Sequence, residues 1–189
     1  MEILLVSVLM AAVAIAVTQA FTNGLKLWAR SQQLTVESNL MIFFDRFGGE
    51  ARGFLPINTI AIKGSRVQLS WPTAVHLPAD LHSSRAQEGV IDQIGAVQYR
   101  YDAASKKIYR RQARYAQAIK GQWEPPYEVA AQVDDLVFRY FFPAAKGLDS
   151  KDQADGVIPL GVSVEIAFVG AGHERRLRRF FPIAIGGGL

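Results

Sequence analysis

Hydrophobic and polar positions change period twice along this chain. From Ile3 to Leu25 there is no charged residue, an uncharged run of 23 residues. As a helix it would be roughly 34 Å long, about the thickness of a bilayer's hydrocarbon layer. Glu2 stands alone at its head, and Lys26 is the next ionisable residue. Further on, Val36, Leu40, Phe43, Phe44 and Phe47 recur at the spacing of one helical face, while Arg30, Gln33, Glu37 and Asp45 fall largely elsewhere. No proline occurs before Pro56. The pattern predicts one helix from about residue 2 to about residue 50, stopped by Gly48, Gly49 and Gly53.

From Phe54 the period falls to two, the signature of strands. Residues 59–62 and 67–71 read as a hairpin around Lys63, Gly64 and Ser65, and 73–89 as a loop. Residues 97–101 and 107–111 alternate on either side of a turn at 102–105. No period is assigned to 112–126. A strand is expected over 133–142, a polar turn-rich loop over 143–159, and a closing hairpin from 162–168 and 177–183 turning at 170–172. Residues 186–188 read as a frayed tail. The predicted fold is α+β, a long N-terminal helix packed on antiparallel sheet. Its divisions are 1–25 for a transmembrane segment, 26–52 for its amphipathic continuation and 53–189 for a β-rich head.

Composition adds exclusions. The chain has 189 residues and no cysteine, so neither a disulfide framework nor a thiolate metal site can form. The formal charge of +4 is concentrated in two clusters. One is Lys106, Lys107, Arg110, Arg111 and Arg114, and the other Arg175, Arg176, Arg178 and Arg179. Both lie in strand-like alternation and are read as solvated faces rather than as a nucleic-acid footprint. His76, His82 and His173 lack metal-ligand spacing. Asp149, Asp152 and Asp155 lack the glycine and closing glutamate of a calcium loop. Ser83, Ser84 and Ser163 lack nucleophile-elbow glycines, and no helix follows Gly170 and Gly172 to make a phosphate loop. No catalytic residue, metal site or cofactor is assigned, and the chain is not expected to be an enzyme.

The opening run admits three readings: membrane anchor, cleavable signal and core helix. A signal peptide needs basic residues ahead of the apolar run, which are absent here, and a core helix is rarely so long without charge. The anchor fits best. The positive-inside rule alone would leave the C-terminal part in the cytoplasm, because Lys26 and Arg30 follow the run.

The segment from Met1 to Ala11 resembles the mature N-terminus of the pseudopilins and minor pilins of type II secretion and type IV pilus systems. Glu2 then matches that family's acidic residue. The resemblance implies that a basic leader, a glycine and a Phe-Thr-Leu motif precede Met1. Three later blocks, GAVQYRYDAASKKIYRR, VDDLVFRYFFP and LGVSVEIAFVGAGHERRLRRFFPI, resemble the minor pseudopilin J family of type II secretion. The positions that match are Val97, Tyr99, Arg100 and Tyr101, then Leu136, Phe138, Arg139 and Tyr140, then Arg179, Phe181 and Pro182.

The resemblance implies a pilin-like fold and a subunit seated in the bacterial inner membrane, with its C-terminal domain in the periplasm. Implied partners are I-like and K-like pseudopilins, an H-like one and inner-membrane lipid, with no nucleic acid. The implied function is a structural one in the pseudopilus tip complex that helps move folded proteins across the outer membrane. Glu2 would pair with the N-terminal amine of a neighbouring subunit. Val36, Leu40, Phe43 and Phe47 would pack the helix on its head or meet a partner. The alternatives are a minor pilin of a type IV or competence pilus, and a membrane-tethered periplasmic binding domain.

Overall fold

The computed structural model describes residues 2–78, 90–170 and 173–183, and of these the backbone alone at 2–5, 29–35, 76–78 and 90–92. Helix α1 runs Glu2–Arg52 without a break. Among the described residues ten strands and a short helix follow: β1 Lys63–Gly64, β2 Gln68–Pro78, β3 Val90–Asp102, β4 Lys107–Arg114, α2 Tyr115–Ile119, β5 Tyr127–Ala131, β6 Asp135–Ala144, β7 Gly147–Lys151, β8 Ala154–Asp155, β9 Gly161–Gly170 and β10 His173–Pro182. They form two sheets, ordered β5-β4-β3-β2-β1-β8 and β10-β9-β6-β7. Every paired strand is antiparallel, so the fold is α+β with a long apolar N-terminal helix and antiparallel sheets. The chain divides into two compact units, Met1–Ser38 and Asn39–Leu189.

Within the second unit, the last turns of α1 lie between the sheets. Leu40, Phe43, Phe44 and Phe47 are buried. Phe47 is central. Its ring centroid lies 5.1 Å from Trp71 and 5.2 Å from Tyr99 in the first sheet, and 6.0 Å from Phe138 and 4.9 Å from Phe181 in the second. Burying such a side chain contributes about 1.5–3 kcal/mol, so this aromatic face is the main apolar link between helix and sheets.

Of the three glycines expected to stop the helix, Gly53 does so and the other two do not. Gly48 and Gly49 are helical, and the helix continues to Arg52. Gly48 serves packing instead: a Cβ there would meet the Phe181 ring at 3.0 Å. Termination follows at Gly53, whose N–H donates to Gly49 O at 3.0 Å. The sheet supplies further caps. Trp71 Nε1 and Thr73 Oγ1 each donate toward Glu50 O at 3.3 Å, and Thr73 Oγ1 also lies 2.8 Å from Gly53 O. Orphan carbonyls at the helix end are thereby satisfied by buried side chains.

Other sequence-based boundaries shift as well. Residues 59–62 are not a strand; the first hairpin joins β1 to β2 through 65–67, with Lys63 opposite Ser70. Strand β2 extends to Pro78, and residues 79–89 lie outside the described ones, as does the turn at 171–172. The expected loop 143–159 contains β7 and β8. Residues 112–126 finish β4 and form α2.

The sheets are joined by polar contacts too. Tyr140 Oη on β6 reaches Ser65 O at 2.8 Å and Gln68 O at 3.2 Å, and the Phe138 N–H donates to Arg66 O at 2.8 Å. The β1–β2 turn of one sheet is thus held by a strand of the other.

Candidate functional site

The feature that sets this chain apart is α1, and it combines two chemistries in one helix. From Val6 to Trp28 it presents 23 residues apolar enough to cross a membrane, none of them buried. Leu9, Val13, Val17, Phe21 and Trp28 are all more than half exposed. An apolar helix with no core to enter requires another apolar medium. Its hydroxyls are satisfied within the helix: Thr18 Oγ1 donates to Ala14 O at 2.8 Å, and Thr22 Oγ1 to Thr18 O at 2.9 Å. This is the arrangement a lipid environment demands, where unpaired polar groups are costly. Length and composition of this kind serve a membrane anchor and a signal sequence alike.

Glu2 opens α1 in the backbone, but its side chain lies outside the described residues. Val36 is buried and falls in the first unit. Leu40, Phe43 and Phe47 are brought together in the core of the second, with Phe43 5.7 Å from the Tyr99 ring and 5.8 Å from that of Phe47. Phe44, on the same stripe, stacks on Phe181 at 6.1 Å. What remains exposed on this part of the helix includes Met41 and Ile42.

One constellation was not singled out from the sequence. Near the end of α1, Glu50 Oε1 accepts from Arg110 Nε at 2.9 Å and Nη2 at 2.7 Å. Glu50 Oε2 accepts from the Tyr99 hydroxyl at 2.8 Å. Arg110 Nη1 continues to Tyr127 Oη at 2.7 Å and Gln112 Oε1 at 2.9 Å. Arg110, read as part of a solvated cluster, is 5% exposed. Burial disfavours its charge, but the Glu50 carboxylate outweighs this and holds its pKa above the usual guanidinium range. Burial first, then the Glu50 charge, pushes the Tyr99 phenol well up. The only hint in the sequence was parity, since Arg110 shares the inward face of β4 with Ile108. The pair locks helix to sheet.

The architecture is pilin-like. No protein-family model matches the chain, and no curated protein matches it. The likeness therefore rests on shape: an exposed apolar N-terminal helix whose C-terminal turns pack on antiparallel sheets.

Among the described residues no three His, Asp or Glu side chains converge as a metal site. His76 is outside the described side chains and His82 outside the described residues, while His173 is exposed on β10. Asp149 lies 3.8 Å from Lys151 across an exposed strand.

Proposed function

We propose that the protein is a structural minor pseudopilin of type II protein secretion, of the J type, acting without catalysis in the tip complex of the pseudopilus. The observation that carries this reading is the exposed 23-residue apolar span Val6–Trp28, on the same helix that ends in a packed aromatic stripe. In this reading the span is seated in the bacterial inner membrane and the sheets lie in the periplasm. The helices of I-like, K-like and H-like pseudopilins pack beside it, so that apolar surface stays out of water when the assembly leaves the bilayer. Glu2 is the assembly residue. A carboxylate in lipid costs up to about 2.5–3.5 kcal/mol, less toward the membrane edge, and this drives it to an amine on a neighbouring chain.

The absence of cysteine makes a clean test available. A single cysteine at Val17, paired with one at matching depth in an I-like pseudopilin, is expected to form an oxidised heterodimer in inner membranes. Glu2→Gln is expected to reduce that yield at least tenfold. Lack of any heterodimer with I-like or K-like partners, or a yield indifferent to Glu2→Gln, would remove the assignment.

A further inference from the structure

The outer face of the six-stranded sheet carries a cleft unrelated to the helix. Strand register aligns four residues in a row across four strands: Lys63 opposite Ser70, Ser70 opposite Gln98, and Gln98 opposite Arg111. Along β3 these alternate with Val97, Tyr99 and Tyr101, which are buried on the opposite, core-facing side. Two adjoining hollows of about 290 and 280 Å³ share Gln98. The first is lined by Arg100, Arg111 and Tyr109, and the second by Lys63, Ser70 and Ile119. Trp123, from the segment after α2, lines the second, and the Arg111 guanidinium lies 5.1 Å over its ring.

The middle of the row is polar yet buried, with Gln98 5% and Ser70 8% exposed. Arg111 Nε donates to Gln98 Oε1 at 2.6 Å, which with the Trp123 ring fixes the guanidinium plane. Arg100 stands on the neighbouring strand, and burial together with its like charge pushes the Arg111 pKa down. Asp102, the acidic residue lining this end, is engaged by its own turn, accepting from Ser105 Oγ at 2.7 Å and the Ala104 N–H at 3.2 Å. Among the described residues neither Arg100 nor Lys63 forms an ion pair. Asp102 lies near Arg100 and Asp155 stands opposite Lys63 on β8, so three cations against two carboxylates leave the lane a net positive charge whose complement is negative.

We propose that this lane binds an extended acidic peptide segment of a partner protein, one carboxylate entering between Arg100 and Arg111 and a second reaching Lys63. The spacing sets the length. Three strand separations put the end positions roughly 14 Å apart, which an extended chain covers in about four residue steps, so the two acidic residues stand at the ends of a five-residue segment and on one face of it. Arg111, held in plane, suits bidentate recognition of a carboxylate, and Ile119 and Tyr109 offer apolar contact to what lies between.

The test uses the full chain in nonionic micelles and a fluorescein-labelled pentapeptide with glutamates at its ends and leucine, alanine and leucine between, read by fluorescence polarisation. Its affinity is expected to exceed that of the glutamine-ended counterpart at least tenfold. Arg100→Gln, Arg111→Gln and Lys63→Gln should each weaken it at least fivefold, whereas Lys146→Gln, at an exposed lysine in the β6–β7 turn, should leave it unchanged. Arg100 is exposed, so its variant keeps the test decisive should Arg111→Gln fold poorly. Equal binding of the two peptides, equal loss in Lys146→Gln, or no saturation at millimolar peptide would overturn the proposal.

Discussion

Gly64 and Tyr140 show how one residue's chemistry depends on another's absence. The Tyr140 ring occupies the space where a Cβ on residue 64 would stand, and its hydroxyl reaches the turn carbonyls just beyond. Burial pushes the Tyr140 phenol far up, because a phenolate there would lose its water. The sign follows from linkage. In the unfolded chain the phenol loses its proton near pH 10, while in the folded protein it keeps it, so the folded state binds more protons above that pH. Stability contributed by the buried phenol is intact below about pH 10 and falls as pH rises beyond it, by up to about 1.4 kcal/mol per pH unit for each such tyrosine. Tyr99, raised by burial and the Glu50 charge, adds to the same loss. Urea midpoints of the full chain measured in micelles from pH 8 to 11 should therefore fall steeply above pH 10. Tyr140→Phe should lower stability at pH 8 by about 1 kcal/mol through the lost hydrogen bond, and should flatten the alkaline slope without abolishing it. An unchanged slope would show that the phenol is not sealed from water.

At the scale of elements, the fold turns on whether the end of α1 is held by its aromatic face or by its polar lock. Phe47 touches rings of both sheets, whereas Ile42, one turn earlier, is 62% exposed. Phe47→Ala is expected to cost about 3–5 kcal/mol in chemical unfolding and Ile42→Ala less than about 0.5. Comparable losses for the two would mean that the stripe does not organise the core. This stripe was legible in the sequence because it is local: five apolar residues at helical spacing state their own face. The hairpins β3–β4 and β9–β10 were legible for the same reason, since alternation and a turn lie side by side. What was not legible depends on partners far along the chain. Residues 59–62 alternate like a strand but form none, Ile62 O accepting only a single bond from the Gly156 N–H among the described residues, while the two-residue β1 exists because β2 and β8 flank it. The helix end was legible to within two residues, but the part given to Gly48 was not, because Gly48 answers to Phe181, a residue more than a hundred positions away. Glu50 and Arg110, and the row from Lys63 to Arg111, are likewise products of register, which periodicity alone does not set.

For the molecule as a whole, the decisive quantity is where an exposed apolar helix finds its medium. In water, the flank of Val6–Trp28 would be a large uncompensated patch, of the size that marks a membrane or partner surface. In a bilayer the same 23 residues match the hydrocarbon thickness, and Thr18 and Thr22 bring their own acceptors. Val13, near the middle of the span and 57% exposed, is the sensitive position. An arginine at the centre of a spanning helix costs about 2.5–3.5 kcal/mol. The full chain should therefore remain with bacterial membranes after alkaline carbonate extraction, and Val13→Arg should release a substantial fraction into the supernatant. Ile42→Arg, a charge on an exposed position of the same helix beyond the span, should not. Release of the unaltered chain by carbonate, or equal behaviour of the two variants, would mean that the apolar run is covered by something other than lipid. The pseudopilin assignment would then lose its physical basis, while the acidic-peptide lane, which lies wholly on the six-stranded sheet and its covering segment, would stand or fall on its own test.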